Sequence, residues 1–195
     1  MFLFRGASVV ERETLEAELD AMGAGVVYDF QLANAFNEGV AQLLGDDADG
    51  IAQLKDIRAA ADSEGRTALS VPDRATLDGA EAVLTEHWPP YAALVRRSSR
   101  RHALQPVLAF QRWCVGWENV PHASGEGEAV HARGFDGHVS EAALKSIDPM
   151  MLRIAGSEAW QLQQGAGAQA KNSEAGSNAD GDPPISSSAK DGVAG

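Results

Sequence analysis

The residues whose types could do chemistry in this 195-residue chain are Cys114, the histidines His102, His122, His131 and His138, the acidic run Asp46-Asp47-Ala48-Asp49, and an arginine-rich stretch. A thiol and imidazoles together invite a zinc site. Structural zinc is held by close pairs such as C-x2–4-C or H-x3–5-H. Here the nearest spacings, His122 to His131 and His131 to His138, are too loose, and no metal is expected. The acidic run lacks the spaced oxygen ligands and closing glutamate of a calcium loop, so it reads as solvated helix-cap chemistry. Cys114 lies in RWCVGWEN, between Trp113 and Trp117. A nucleophilic cysteine needs a base or a helix N-terminus to lower its pKa, whereas a small apolar thiol between tryptophans packs. The glycine pairs Gly23-x-Gly25 and Gly125-x-Gly127 lack the flanking strand and signature of a nucleotide loop and read as turns. No catalytic residue and no cofactor emerges, and the expectation is a protein that is not an enzyme.

The arginines carry the sharper signal. Arg96-Arg97-x-x-Arg100-Arg101 puts two adjacent pairs on neighbouring helical turns, with Arg112 further along. Guanidinium forks match phosphate oxygens, but also carboxylates. The formal charge of −12 opposes encounter with nucleic acid or an anionic membrane, so neither is an expected partner. These arginines are expected to meet carboxylates, within the domain or on a partner. Tryptophan together with arginine is the favoured composition of binding hot spots. The candidate partner contacts are therefore Trp88, Tyr91, Arg96, Arg97, Arg100, Arg101, Arg112 and Trp117, with Trp113 assigned to the core.

These residues lie in one stretch, WPPYAALVRRSSRRHALQPVLAFQRWCVGWEN (88–119), around which the other elements must pack. Its apolar residues recur at helical steps. Pro89 and Pro90 suit a helix start, and Pro106 must either open a second helix or bend a continuous one. Upstream, Phe2 to Phe4 reads as a strand-like arm. Ser8 with Glu11 forms a capping box for a helix reaching about Met22, with Leu15, Leu19 and Met22 inward. Asp29 caps a helix whose stripe is Phe30, Ala33, Phe36, Val40, Leu43 and Leu44. A shorter helix follows around Ile51, Leu54 and Ile57. Ser70-Val71-Pro72-Asp73 opens another, with Leu77, Ala80, Val83 and Leu84 inward. Val120 to His138 reads as a long loop, in which a small hairpin is the main departure from helix. Ser140 caps a short helix, and Asp148-Pro149 starts the last, in which Met151, Leu152, Ile154, Ala155 and Trp160 can pack. The expected architecture is all-α: a single compact multi-helix domain over 1–164, followed by a disordered Gly/Ala/Ser/Asp-rich C-terminal tail over 165–195.

No window approaches the roughly 18 apolar residues of a spanning helix. The N-terminus lacks the basic start and apolar centre of a secretory signal, and a lone cysteine fits a reducing compartment.

Four segments combine into a pattern: FRGASVVERETLEAEL near the start, HWPPYAALVRRSSRRHALQPVLAFQRWCVGWENV at the centre, ARGFDGHVSEAALKSID after the loop, and KNSEAGSNADGDPP in the tail. Together, over most of residues 4 to 182, they resemble tail assembly chaperones of tailed phages and prophages, with LAFQRWCVGWEN the most particular piece. The resemblance implies a non-enzymatic protein of the bacterial host cytoplasm that binds the tape-measure protein and helps recruit tail-tube protein. It also implies absence from the finished particle, and a homo-oligomeric state is compatible with it. The alternative of similar size and helical content is a structural head-tail joining or tail-completion protein of the virion.

Overall fold

Five of the helices begin where short polar side chains satisfy free backbone amides, and those caps set the chain's segmentation. In the computed structural model, which describes residues 1–164, strand β1 (Phe2–Phe4) precedes helices α1 (Val9–Ala21), α2 (Asp29–Leu44), α3 (Ala48–Glu64), α4 (Val71–His87) and α5 (Pro89–Trp113). Strand β2 (Cys114–Trp117) and helices α6 (Glu141–Lys145) and α7 (Pro149–Gln163) follow. At α1 the Ser8 Oγ accepts from the Glu11 amide at 3.2 Å, and the Ser8 amide donates to Glu11 Oε2 at 2.8 Å. Ser70 and Ser140 accept from Asp73 and Ala143 in the same way, and Asp148 accepts from the amides of Met150 and Met151. Asp47 accepts from Gly50 at 3.0 Å, so the acidic run is cap chemistry. At α2 the cap differs from expectation: Tyr28 is the N-cap, its amide bound to Gln31 Oε1, and Asp29 is already inside the helix.

The chain is all-α, with a single two-stranded ribbon among the described residues. β1 pairs antiparallel with β2, Phe2 opposite Trp117 and Phe4 opposite Cys114, with an irregularity between Leu3 and Phe4. The arm is held by its aromatics as much as by the ladder. Phe2 meets the Phe110 ring edge-on at 5.2 Å, and Phe4 does the same at 5.8 Å.

α5 is the spine. Its first turns, at Tyr91, Leu94 and Val95, join a cluster with Phe36 and Val40 of α2, Ile57 of α3, and Leu77 and Leu84 of α4. Its last turns split between two clusters. Ala109 and Trp113 pack with Leu15 and Leu19 of α1 and Ala159 of α7, while Phe110 packs with Val120, Val139, Ile147, Leu152 and Ala155. Trp113 is wholly buried and stacks on Trp160 at 5.8 Å.

Pro106 neither breaks α5 nor opens a second helix: the helix runs through it from Pro89 to Trp113. α7 crosses α5 at this point, and Gly156 lies against the Pro106 backbone so closely that a Cβ there would fall 2.6 Å from the Pro106 carbonyl carbon. Tertiary contact on that side overrides the proline's tendency to end a helix.

The segment after β2 holds no helix until α6. It carries two isolated antiparallel bridges, Pro121 with Glu128 and Arg133 with Val139. The expected long loop is thus pinned by two bridged turns, without a regular hairpin, and folds over the core through Val120, Ala129 and Val139. Several side chains assigned inward are exposed instead: Met22, Phe30, Leu43, Leu44, Val83 and Ile154. The tail expected over 165–195 lies outside the described residues.

Candidate functional site

The arginine pattern resolves by side of α5. Arg101 donates to both Glu16 oxygens, at 2.6 and 2.8 Å, and its guanidinium lies 5.8 Å from the Trp160 ring centre. Arg97 donates to Asp20 at 2.7 Å, and Arg112 pairs with Glu18. All three carboxylates are on α1. The four-residue step from Glu16 to Asp20 repeats the step from Arg97 to Arg101 in reverse order, so successive turns of the two helices are clamped. Arg96 and Arg100 point away, exposed and without an ion pair among the described residues.

The aromatic candidates turn inward. Tyr91 is 3 % exposed and meets Phe36 edge-on at 6.2 Å; burial, then the nearby Glu81 carboxylate, push its phenol pKa up. Trp117 is 8 % exposed and donates its indole N–H to the Ala129 carbonyl at 2.7 Å. His131 stands edge-on to the same indole at 4.8 Å, and burial together with Arg133 hold its pKa below the usual imidazole value. Trp88 is half-buried against the α2–α4 cluster. Tyr91 and Trp117, expected among the partner contacts, are therefore interior packing residues. Arg97, Arg101 and Arg112 are engaged within the chain, and only Arg96 and Arg100 of the eight are free, exposed side chains.

Among the described residues no three His, Cys, Asp or Glu side chains converge as metal ligands, and no helix is long and apolar enough to cross a membrane. The Cys114 thiol is buried, and burial raises its pKa, which disfavours the thiolate form.

What the sequence reading missed is an apolar groove at the other end of the molecule. Val40, Leu43 and Leu44 of α2, Leu54 of α3, and Thr76, Gly79, Ala80, Val83 and Leu84 of α4 line a volume of about 250 Å³. Its floor is core: Val40 and Leu84 are 3 % and 1 % exposed. Its walls are not, with Val83 at 49 %, Leu43 at 42 % and Leu44 at 37 %. The signal was present in part, because the α2 stripe runs to the last turn of the helix and α4 interrupts its own with a glycine. Periodicity marks an apolar face without saying whether the same chain covers it.

The surrounding lobe is acidic. Residues 29–87 carry twelve aspartates and glutamates against four lysines and arginines. Three of those four are occupied locally: Arg58 with Asp62 and Glu81, Arg66 with Asp78 and Glu81, and Arg74 with the carbonyls of Thr67 and Leu69. Comparison with protein-family models, with curated proteins and with solved structures gave no match to this chain.

Proposed function

We propose that the protein is a tail assembly chaperone of a tailed phage or prophage, which binds the tape-measure protein and assists tail-tube assembly in the host cytoplasm without catalysing a reaction. The three-helix apolar groove carries this reading. A groove walled by half-exposed leucine and valine and floored by core side chains suits the apolar face of a helix from another polypeptide. A long helical protein held before assembly would present many such faces. The acidic lobe is consistent with a protein that handles another chain, and the four segments quoted above supply the phage assignment.

The test is coexpression of the tagged chain with a candidate tape-measure protein, followed by affinity recovery. Wild type should recover the tape-measure protein, and Val83→Asp, which puts a carboxylate on the groove wall, should cut recovery by about tenfold or more. No recovery by wild type overturns the reading. Mass spectrometry of purified particles separates the alternative, since a chaperone is absent from them and a joining or completion protein is stoichiometric.

A further inference from the structure

Four glycines sit inside helices α2, α3, α4 and α7, and three of them are accounted for by the chain itself. A Cβ at Gly39 would strike Leu84 and Trp88, one at Gly50 would strike the Asp47 carboxylate, and one at Gly156 would strike the Pro106 backbone. Gly79 is different. It lies mid-helix in α4, exposed, with nothing within 4 Å of where its Cβ would be, and it lines the groove. Glycine weakens a helix interior, and its structural use there is close approach of another backbone. Among the described residues nothing makes that approach.

The charge around the groove narrows what could. Asp46 and Asp47 follow Leu44 after the C-cap Gly45, at the groove's end, Asp49 lies in the first turn of α3, and Glu86 is one turn beyond Val83. The C-terminal carbonyls of α2 add partial negative charge at the same end. Of the lobe's four basic residues, Arg58 and Arg66 are in ion pairs, Arg74 is held by backbone carbonyls, and Lys55, beside Leu54, has no ion pair among the described residues.

Resting on the reading of this groove as the partner site, we propose that its occupant is an amphipathic helix of another protein. That helix carries a stripe of leucine-sized residues bordered by lysine or arginine, and crosses α4 with its backbone close to Gly79. Residues 165–195 cannot supply such a helix, because Ile185 and Val193 are their only bulky apolar residues. A second copy of this chain is disfavoured by charge: two lobes, each with twelve acidic and four basic groups, would repel.

Two labelled peptides of about 20 residues, long enough for five helical turns, test this. They share one leucine stripe at i, i+3, i+4 and i+7, and differ in having lysine or glutamate at the flanking positions. Fluorescence anisotropy with the full chain should show the lysine-flanked peptide binding at least about tenfold more tightly, with the preference shrinking as salt rises. Gly79→Phe fills the groove from a position where a side chain meets no neighbour, and should abolish binding while leaving the circular dichroism spectrum and melting temperature near wild type. Equal binding of both peptides overturns the charge assignment, and binding unchanged by Gly79→Phe overturns the groove. A wild-type dimer in sedimentation that Gly79→Phe dissociates makes the occupant a second copy and also overturns the proposal. The outcomes stay separate from those of the chaperone reading. Tape-measure recovery that survives Gly79→Phe sinks the groove and spares the chaperone, and lysine-peptide binding without tape-measure recovery does the reverse.

Discussion

The same substitution, glycine to alanine inside a helix, should have opposite effects at two sites in this protein. At Gly79 the new methyl group meets nothing within 4 Å, so the change should stabilise by the helix-propensity difference alone, about 1 kcal/mol. At Gly156 the same propensity gain is present and is outweighed. The added Cβ would lie 2.6 Å from the Pro106 carbonyl carbon and 3.0 Å from its Cα, with the carbonyl oxygen closer still. Comfortable carbon–carbon contact is about 3.5–4.0 Å, so α7 would have to back away from α5 by roughly 1 Å. A gap of that size forfeits about a quarter to a half of each contact's dispersion energy along the interface that buries Leu152, Ala155 and Ala159.

Overpacking of this kind costs about 1–3 kcal/mol, and a backbone obstacle that cannot rotate aside places it at the upper end. Subtracting the propensity gain leaves Gly156→Ala destabilised by about 2 kcal/mol. Gly39→Ala should fall between the two, because its obstacles, Leu84 Cδ2 at 2.5 Å and Trp88 Cδ1 at 2.7 Å, are side chains with some freedom to shift. Urea unfolding followed by circular dichroism reads all three on one scale. With about 2–4 °C per kcal/mol for a chain of this size, Gly79→Ala should melt a few degrees above wild type and Gly156→Ala about 4–8 °C below. If Gly156→Ala melts at or above wild type, α5 and α7 do not approach as described, and the account of how Pro106 is kept inside a helix fails with it.

Neighbouring arginines should separate just as cleanly. Arg101→Ala strands a half-buried Glu16 and loses the contact with Trp160, for a cost of about 1–3 kcal/mol, whereas Arg100→Ala should stay within about 0.5 kcal/mol of wild type in the same urea assay. Glu11 accepts from Arg5 and from the Ser8 amide, which together hold its carboxyl at about 2 against an ordinary 4.5. Because the folded value is depressed, its contribution is complete above about pH 4.5 and fades as pH falls toward 2; the stability gap between wild type and Glu11→Gln, measured by urea midpoints across that range, should close accordingly. An unchanged gap at pH 2.5 would mean the Arg5 contact does not hold the carboxylate. Cys114 should resist a thiol reagent at pH 7 in the native protein and label stoichiometrically in urea; rapid native labelling would show that the β1 arm does not stay closed over it.

Starts of helices were legible in the sequence because capping is local: Ser8 with Glu11, Ser70 with Asp73, Ser140, and Asp148 before Pro149 each satisfy amides within three residues. The single continuous α5 was not legible, since the tertiary contact made at Pro106 comes from Gly156, fifty positions away in the chain. The arginine reading was half legible. Surplus carboxylate implied ion pairs, but only the packing of α1 on α5 selects Arg97, Arg101 and Arg112 and leaves Arg96 and Arg100 outside. Trp117 and Tyr91 are interior for a physical reason. Their composition suits an interface and a core equally, and Trp117 is drawn inward by an acceptor, the Ala129 carbonyl, contributed by a loop with no periodicity to announce it. The groove was hidden by the converse: Leu43, Leu44 and Val83 look like core in any periodic reading, and exposure follows only from how far α2 extends past its neighbours' cover.

Paired and surplus charge lie in different parts of the molecule, and the separation follows from which helix α1 covers. Arginines of α5 that could have attracted an acidic partner are spent on α1, with Glu16, Glu18 and Asp20 as the matching set. In the α2–α3–α4 lobe Arg58 and Arg66 are already held by Asp62, Asp78 and Glu81 and Arg74 by backbone carbonyls, so among the described residues of the lobe only Lys55 stands against the remaining carboxylates. The lobe that exposes leucine and valine is therefore also the one that keeps uncompensated carboxylates. An apolar groove alone invites any greasy surface, including another copy of the same chain and the aggregation that follows. Ringing it with like charge removes the second copy as a ligand while leaving a cationic helix attracted, since repulsion between identical lobes and attraction to an opposite one come from the same side chains. On this argument the acidity is a specificity device of the groove. Reversing it at Asp46 and Asp49 together should change what the groove binds before it changes how well the protein folds.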